Sequence, residues 1–374
     1  MEIAVREIRA GDRMGISEFL ALPRRIYSRD SPWVAPLLTE QRRKFNPTSN
    51  PFFKYGNVQL FVANNADEHP VGRIAAIFNP HHQEVHGQPA GFFGSFECTN
   101  DVTVARQLFD RVQEALSRQG CDEILGPVNL TTNDESGFLI EGYGERPTFM
   151  CNYCPGYYHE LVRACGFEKA VDTLSFMAWH GHPFPDKYYR LIKRFEANPR
   201  LRIKRFDKKS AKDDILTIAG IYNESFHDTW GFVPMSDEEA MELGRGLVPI
   251  ADPDLVWIAF CDDRPAGAIL GFPDINEILA HLNGRLLPFG FLRFLFGQRR
   301  IQGMRVAALG VTPECRSLGI ETLLIHKVHQ RVHTRPYQRS EFSVVMENNH
   351  RMRNLLERFG FTCTRRYRLY RKRM

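Results

Sequence analysis

One order of predicted strands and helices occurs twice along this chain, and the repeat limits the fold more than any other feature. Each half predicts a strand hairpin, a third strand, a long helix, a fourth strand and a short helix that ends at a glycine. The predicted strands are 58–63, 71–78, 92–98 and 123–128 in the first half and 255–260, 266–271, 304–311 and 341–346 in the second. A repeat at a spacing of about 190 residues indicates tandem copies of one α/β fold.

The two copies are separated by a charged stretch over residues 186–200, which ends at the turn signal Asn198-Pro199. We therefore predict two domains, residues 1–190 and residues 191–374. A chain long enough for two domains can bury most of its apolar surface without disulfides or structural metals.

Composition and charge exclude several classes of protein. Hydrophobic residues make up 43% of the chain and charged residues 25%, which is typical of a globular protein and not of a disordered one. The net charge of +5 is too small to indicate a nucleic-acid partner, and we expect none. No secretory signal is evident, and no run approaches the ~18 apolar residues that would span a bilayer. We expect a cytoplasmic protein.

The most informative segment runs from Gly310 to Leu324, where an apolar strand ends in a turn and a helix begins at a glycine-containing loop. Backbone N–H groups at a helix N-terminus lack intrahelical acceptors, and the helix dipole favours an anion there. Gly319 would let a phosphate approach the backbone, and Arg316 adds a positive charge. We interpret the segment as a diphosphate cradle. The alternative is a glycine that only permits tight packing.

This segment resembles the acyl-CoA-binding motif of the GNAT superfamily, Val-x-Pro-x-x-Arg-x-x-Gly-x-Gly/Ala followed by a helix. The matching residues are Val311, Pro313, Arg316 and Gly319. Glu321 departs from the motif, because it stands where the family has a second glycine or alanine. A carboxylate near an anion site must point away, or CoA binding is weaker or altered.

A second resemblance lies downstream, where the family has a strand, an asparagine and a helix that ends in Gly-Phe. Here Asn349, Leu355, Gly360 and Phe361 stand at that spacing. Leu356 occupies the place of a tyrosine that often serves as general acid, so the usual acid is absent. The resemblance covers residues 201–374 well, whereas the first half lacks the loop motif and resembles a degenerate copy.

The resemblance implies an α/β fold of two tandem GNAT-like domains, each a central mixed, mostly antiparallel sheet flanked by helices. It implies an acyl-CoA co-substrate, either acetyl-CoA or a long-chain acyl-CoA, with no metal. It also implies direct transfer of the acyl group to a primary amine through a tetrahedral intermediate, without a covalent enzyme intermediate. The residues that it assigns to the acyl-CoA are Leu309, Gly310, Val311, Arg316, Ser317, Leu318, Gly319, Ile320, Glu321 and Asn349.

A narrower resemblance rests on three short runs, residues 230–235, 273–276 and 345–348. They are similar to a bacterial group with two GNAT domains, the bacterial ceramide synthases, which attach a fatty acyl chain to a sphingoid amine. This resemblance implies a lipid amine as acceptor and places Trp230, Phe232 and Asn276 at the acceptor.

Attack by an amine on a thioester requires an unprotonated nitrogen, so a base or a proton-relaying water is needed. Three residues are candidates: Glu347 at the end of a predicted strand, next to the proposed acyl site; Asp274 after the hairpin strand, whose end should face the same cleft; and His227 in a loop. Each also has an ordinary alternative as a capping or turn residue.

Residues 286–300 form an insertion that is strongly apolar and carries arginines but no acidic residue. It is too short to span a bilayer, so it predicts contact with a membrane surface, a wall of an acyl-chain channel, or a buried helix. The first option adds a peripheral position at the inner face of the membrane to the cytoplasmic expectation.

Several functions stay open at this stage. The acceptor is a small-molecule or lipid amine, and the donor is a CoA thioester or an acyl carrier protein. Rival functions are small-molecule or protein N-acetylation, aminoacyl transfer from a charged tRNA, and a non-catalytic acyl-CoA-binding module. The sequence does not indicate an oligomeric state.

Overall fold

The computed structural model describes residues 3–9, 11–28, 30–179, 184, 186–286, 290–332, 334 and 337–374. The chain divides into two compact units, each assembled from separate segments. The first unit comprises Met1–Thr173, Leu279–Gly290 and Arg365–Met374, and the second comprises Leu174–Ile278 and Phe291–Thr364. The predicted domain boundary between residues 190 and 191 stays a prediction.

The elements of the first half alternate between strands and helices. The strands are β1 (Ala4–Ile8), β2 (Asn57–Asn64), β3 (Pro70–Phe78), β4 (Ala90–Cys98), β5 (Glu123–Gly126), β6 (Phe138–Glu141) and β7 (Glu168–Trp179). The helices are α1 (Arg13–Ala21), α2 (Pro23–Ile26), α3 (Leu38–Lys44), α4 (Pro80–His86), α5 (Val102–Ser117) and α6 (Tyr158–Ala164).

The second half repeats this alternation. The strands are β8 (Leu201–Arg205), β9 (Val256–Cys261), β10 (Arg264–Pro273), β11 (Gly303–Val311), β12 (Arg339–Met346) and β13 (Thr362–Arg373). The helices are α7 (Asp186–Glu196), α8 (Ala211–Phe226), α9 (Asp237–Leu247), α10 (Asn276–Leu279), α11 (Gly290–Gly297), α12 (Ile320–Val332) and α13 (His350–Arg358).

In the first unit the strand order is β1-β2-β3-β4-β5-β13, and β6 also pairs with β13. Every one of these pairings is antiparallel except β4–β5, which is parallel. The amphipathic helix α5 packs on β2 and β3 because its apolar positions recur at helical spacing. Val104, Leu108 and Val112 on this helix are buried.

In the second unit the strand order is β8-β9-β10-β11-β12, and only the β11–β12 pairing is parallel. Helix α8 packs against β10 and β11, and α12 packs against β9, β10 and α7. The predicted α/β class with mixed, mostly antiparallel sheets and flanking helices is therefore confirmed. Parallel neighbours need a crossover, and in each unit a long helix supplies it.

The basic C-terminal run has a structural explanation within the first unit. On β13, Arg368 donates to Asp172, whose side chain is almost fully buried, with Nε and Oδ1 2.7 Å apart. Arg371 bonds Glu168 at 2.9 Å. Hydrogen bonds from the Arg368 guanidinium and from Lys169 hold the pKa of Asp172 below its usual value despite the burial of the carboxyl.

Candidate active site

Strand β11 carries a bulge and parts from its neighbour β12 halfway along. Against β10, Leu270 pairs with Ala308 but Gly271 pairs with Val306, so Ala307 is an extra residue. Against β12, the pairing runs from Gly303–Arg339 to Val306–Phe342 and, within the described residues of both strands, no further. The backbone edge of β11 after Val306 is therefore not covered by β12, which continues to Met346.

Beyond the parted strands, the chain turns sharply before α12. Thr312 N donates to Ala266 O at 2.9 Å, and residues 313–315 form one 3-10 turn. Ser317 and Gly319 both have positive φ, 86° and 78°. Helix α12 then begins at Ile320, so the amides of its first turn have no acceptor inside the helix.

Gly319 is needed for packing as well as for its backbone angle. A Cβ placed on it would lie 2.4 Å from two carbon atoms of the Phe195 ring, on α7. Any side chain at this position would therefore collide with the ring and would also strain the backbone. The two interpretations of this glycine are compatible, since its missing Cβ faces Phe195 while the helix N-terminus stays accessible.

A cleft of about 360 Å³ lies between the start of α12 and helix α13. Its lining combines the loop, the first turn of α12 and one face of α13. The lining residues are Ser317, Gly319, Glu321, Thr322, Arg351, Asn354, Leu355 and Arg358. The cleft thus joins unpaired helix amides to two guanidinium groups, which is a favourable environment for a phosphate.

The carboxylate of Glu321 is neutralised by an arginine of the same cleft. Arg351 on α13 donates from its guanidinium to Glu321 Oε1 at 2.5 Å, and the Glu321 side chain is only 13% exposed. The departure from the GNAT motif therefore has a partner, and the negative charge is balanced where it faces the cleft.

Arg316 is turned towards the backbone of the second unit. Its guanidinium donates to the carbonyl oxygens of Ser225 at 3.1 Å and Val311 at 3.5 Å. These bonds tie the loop to the end of α8 and to the last residue of β11. Arg316 is not among the residues that line the cleft.

The remaining residues of the acyl-CoA set are largely buried. Leu309, Gly310 and Val311 pair with β10, and Ile320 is fully buried. Leu318 is partly buried.

Glu347 and Asn349 lie at the same edge as the loop, because β11 and β12 are parallel and end together. Asn349 is the N-cap of α13, and its Oδ1 accepts from Met352 N at 3.0 Å. Glu347 is half-buried, and its carbonyl oxygen accepts from Arg353 at 2.8 Å. Glu347 therefore lies at the same strand ends as the loop, but it is not among the residues that line the cleft.

Asp274 and Asn276 lie at the opposite end of β11. Because β10 is antiparallel to β11, its last residue Pro273 pairs with Met304 at the start of β11. The nine residues of β11 separate this end from the loop by about 25–30 Å. The structure does not bring these two residues to the cleft that Ser317 lines.

Asp274 is fully buried in a polar cluster at that far end. Its Oδ2 accepts from Arg339 at 3.3 Å, and its Oδ1 accepts from Asn276 N at 3.3 Å. Arg339 also bonds Glu277 at 3.1 Å, so one cation serves two carboxylates. A buried carboxylate with this many partners fixes the start of the two parallel strands.

His227, Trp230 and Phe232 lie in or beside the loop that follows α8. The exposed His227 ring is 3.0 Å from Asp228 Oδ1 and 2.8 Å from Glu224 O. Trp230 is partly buried, and Phe232 is buried against Tyr222, with ring centroids 5.6 Å apart. Phe232 is therefore a packing residue of the second unit.

Sequence reasoning did not assign five of the lining residues to the acyl-CoA: Thr322, Arg351, Asn354, Leu355 and Arg358. Arg351, Asn354 and Arg358 recur at i, i+3 and i+7, which is the spacing of one helical face. This periodicity was the available signal. The sequence did not indicate Ala307 either, because a bulge depends on the register of two strands rather than on the identity of one residue.

Within the described residues, no three side chains of His, Cys, Asp or Glu converge to hold a metal ion. Among the described helices, none is both long enough and apolar enough to cross a membrane. The predicted insertion 286–300 includes residues 287–289, which lie outside the described residues.

Comparison with known proteins gives two similar relatives over nearly the whole chain. A bacterial ceramide synthase of Caulobacter vibrioides (strain NA1000 / CB15N) is 30% identical over 365 residues, covering 96% of this chain and 94% of the relative. Protein YghO of Escherichia coli (strain K12) is 31% identical over 368 residues, covering 96% and 93%.

Family and structure comparisons agree with these relatives. The sequence model of the acetyltransferase (GNAT) family matches residues 216–361. Among solved structures, a tandem GNAT protein from the clavulanic acid biosynthesis pathway covers 100% of this chain and 98% of its own, with a TM-score of 0.60 at 12% identity. The chain therefore belongs to the GNAT family and is an N-acyltransferase with a tandem GNAT architecture.

Proposed function

We propose that this protein transfers an acyl group from a CoA thioester to the primary amine of a lipid-like acceptor, and that the second unit carries its one acyl-CoA site. The observation that carries the proposal is the joint presence, in that unit, of a parted strand edge and an arginine-lined cleft at a helix N-terminus. Members of the GNAT family generally use acetyl- or acyl-CoA, so the class of donor follows from the family and the particular acyl chain is our proposal.

The cleft would hold the phosphates of CoA. The first-turn amides of α12 would donate to an anion, and Arg358 would supply positive charge from the facing helix, beside the Arg351–Glu321 ion pair. Arg316 would act indirectly, since its bonds to Ser225 and Val311 hold the loop in shape. Asn349 would orient α13 through its cap and so place the two arginines.

The parted edge of β11 would receive the pantetheine arm and the thioester. An extended arm can bond to the strand edge that β12 leaves uncovered after Val306. The extra residue Ala307 has no counterpart on β10, and it is partly exposed. Its N–H would donate to the thioester oxygen and stabilise the negative charge of the tetrahedral intermediate.

The chemical step is direct attack. The amine nitrogen forms a bond to the thioester carbon, the intermediate collapses with loss of the C–S bond, and CoA leaves as the thiol. The nitrogen loses one proton, and the sulfur gains one. Glu347, directly after β12, is our candidate for accepting the proton through a relaying water or for anchoring the ammonium group.

A long-chain amine is the favoured acceptor for two reasons. The curated relative from Caulobacter vibrioides is named a bacterial ceramide synthase, and this chain matches it over 96% of its length. In addition, the second unit exposes an apolar helix, α11, that a small water-soluble acceptor would not require. The protein would accordingly work in the cytoplasm at the inner face of a membrane.

The test is an assay of CoA release with palmitoyl-CoA or acetyl-CoA as donor and sphinganine or a short polyamine as acceptor. We expect release that depends on amine, that is fastest with palmitoyl-CoA and sphinganine, and that yields the amide by mass spectrometry. Glu347→Gln should lower kcat about 100-fold with little change in the KM for the donor.

Other results would contradict the proposal at separate points. Release with acetyl-CoA and the polyamine alone would reject the lipid acceptor but keep the acyltransferase. Binding of CoA without any turnover would favour a non-catalytic module. An unchanged kcat in Glu347→Gln, alongside full activity of the wild type, would remove Glu347 from the mechanism. The matched control is Glu314→Gln, which removes an exposed carboxylate of the same loop region and should retain activity.

A further inference from the structure

Helix α11 exposes large apolar side chains on one face. The exposed fractions are 45% for Phe291, 42% for Leu292, 55% for Leu295 and 75% for Phe296. These four positions are spaced i, i+1, i+4 and i+5, so they lie together on one side of the helix. Contiguous exposed apolar surface of this kind marks a site of interaction in soluble proteins.

The helix is attached to the second unit by its other side. The backbone of Gly297 lies against Ile278, because a Cβ on this glycine would be 3.1 Å from two carbon atoms of that side chain. Phe294 is only partly exposed, unlike its four apolar neighbours. The exposed face is therefore held outward by packing on the opposite face.

The charged residues that flank α11 in the sequence are all basic. From residue 278 to residue 313 the sequence contains five arginines and neither aspartate nor glutamate, although the whole chain has nearly equal numbers of basic and acidic residues, 49 and 44. Three of these arginines, Arg293, Arg299 and Arg300, are exposed. The apolar face thus lies within a stretch of cationic side chains.

We infer that α11 binds the surface of a membrane that contains anionic lipids. Eight residues of helix are about 12 Å long, whereas a span needs about 20 residues, so α11 would lie in the interface with its apolar face among the acyl chains. The arginines would meet phosphate headgroups at the same depth. The inference deepens the membrane location on which the proposed function rests, and it names the contacting surface and the lipid class; its test needs neither CoA nor acceptor, so the two can fail separately.

The test is co-sedimentation of the full chain with vesicles of phosphatidylcholine, with and without phosphatidylglycerol. We expect strong binding only when phosphatidylglycerol is present, weakened by high salt. The double variant Leu295→Ser/Phe296→Ser should lower partitioning at least about tenfold. Arg293→Gln should lower it about fivefold.

The matched control is Met14→Ser, which removes the apolar side chain of α1 that is 85% exposed. It should leave partitioning unchanged, and all variants should keep the wild-type melting temperature and CoA affinity. The inference is overturned if vesicles with phosphatidylglycerol bind no protein, or if the double variant binds as well as the wild type. It is also overturned if the wild type ignores vesicles and the double variant converts a dimer into a monomer, because the face would then serve a second copy.

Discussion

The two units share a strand–loop–helix segment, but only the second leaves it accessible. In the first unit, β4 also carries an extra residue against β3 and also parts from its parallel neighbour β5, after the Phe92–Leu125 pair. In this unit, the following segment of the chain makes hydrogen bonds to the backbone of β4 that β5 leaves uncovered. Val128 N donates to Phe93 O at 2.8 Å, and Asn129 Oδ1 accepts from Ser95 N at 2.9 Å.

The helix that follows differs in the same way. Asp101 caps α5, and its carboxylate accepts from Thr103 N at 2.7 Å, so an anion of the chain already occupies the helix N-terminus. Helix α12 instead begins after Gly319 and faces a cleft with Arg351 and Arg358. The comparison indicates that a few polar groups decide whether this strand–loop–helix segment is accessible. In the first unit they bond to the strand edge and the helix N-terminus, and in the second unit the corresponding positions face a cleft.

Gly319→Ala should produce the largest loss of stability. An L-residue at φ 78° costs about 1–2 kcal/mol, and overpacking against Phe195 adds about 1–3 kcal/mol. Chemical denaturation should therefore give a free energy of unfolding about 3 kcal/mol lower. Gly220→Ala, at a helical glycine with no atom within 4 Å of the added Cβ, should be neutral or stabilising. Equal unfolding midpoints for the two variants would contradict the packing role of Gly319.

Removing both arginines of the cleft should have the next largest effect. Arg351→Ala/Arg358→Ala should raise the Kd for CoA about 100-fold, equivalent to about 2.7 kcal/mol, because the contact of Arg358 with phosphate is lost and the Glu321 carboxylate is left without its ion-pair partner in the cleft. Isothermal titration calorimetry measures the change. Arg163→Ala, on the short helix α6 of the first unit, is the control and should bind CoA normally. Equal weakening by both variants would show that the cleft is not the site.

Acid should destabilise the first unit through His82. Burial and the neighbouring His86 lower the pKa of His82 from 6.5 to about 4. His82 therefore binds a proton more tightly in the unfolded chain than in the folded protein. As a result, the free energy of unfolding falls as the pH drops from about 6.5 to about 4 and then levels off. We expect the free energy of unfolding to fall by about 2 kcal/mol over this range because of His82, and this fall should be missing in His82→Gln. If the free energy of unfolding depends on pH in the same way in the wild type and the variant, the role of His82 is refuted.

Asp101→Ala should have the smallest effect. Loss of an N-cap costs about 1 kcal/mol, so the melting temperature should fall slightly. The affinity for CoA should not change, because α5 is not part of the proposed site. A second CoA-binding event in this variant would show that the capping aspartate alone closes the first unit.

Much of the fold was predictable from the sequence. The predicted strand over 71–78 differs from β3 by one residue, and the predicted strand over 304–311 differs from β11 by one residue. These elements have clear apolar periodicity and turn signals at their ends. The repeat of the element order gave the tandem architecture for the same reason.

The site was only partly predictable. The loop with Ser317 and Gly319 was found because helix N-termini and glycines have known chemistry. Asp274 was expected near the same cleft, but antiparallel pairing places the end of β10 at the start of β11. The partners of Arg316 and Glu321 come from α8 and α13, far away in sequence, so no local pattern indicated them.

The most direct test of the central claim is amide hydrogen exchange with and without CoA. We predict slower exchange at residues 317–323 and 351–358 on addition of CoA and no change at residues 99–106, the corresponding segment of the first unit. Slower exchange at residues 99–106, or unchanged exchange at residues 317–323, would contradict the account of one closed copy and one open site.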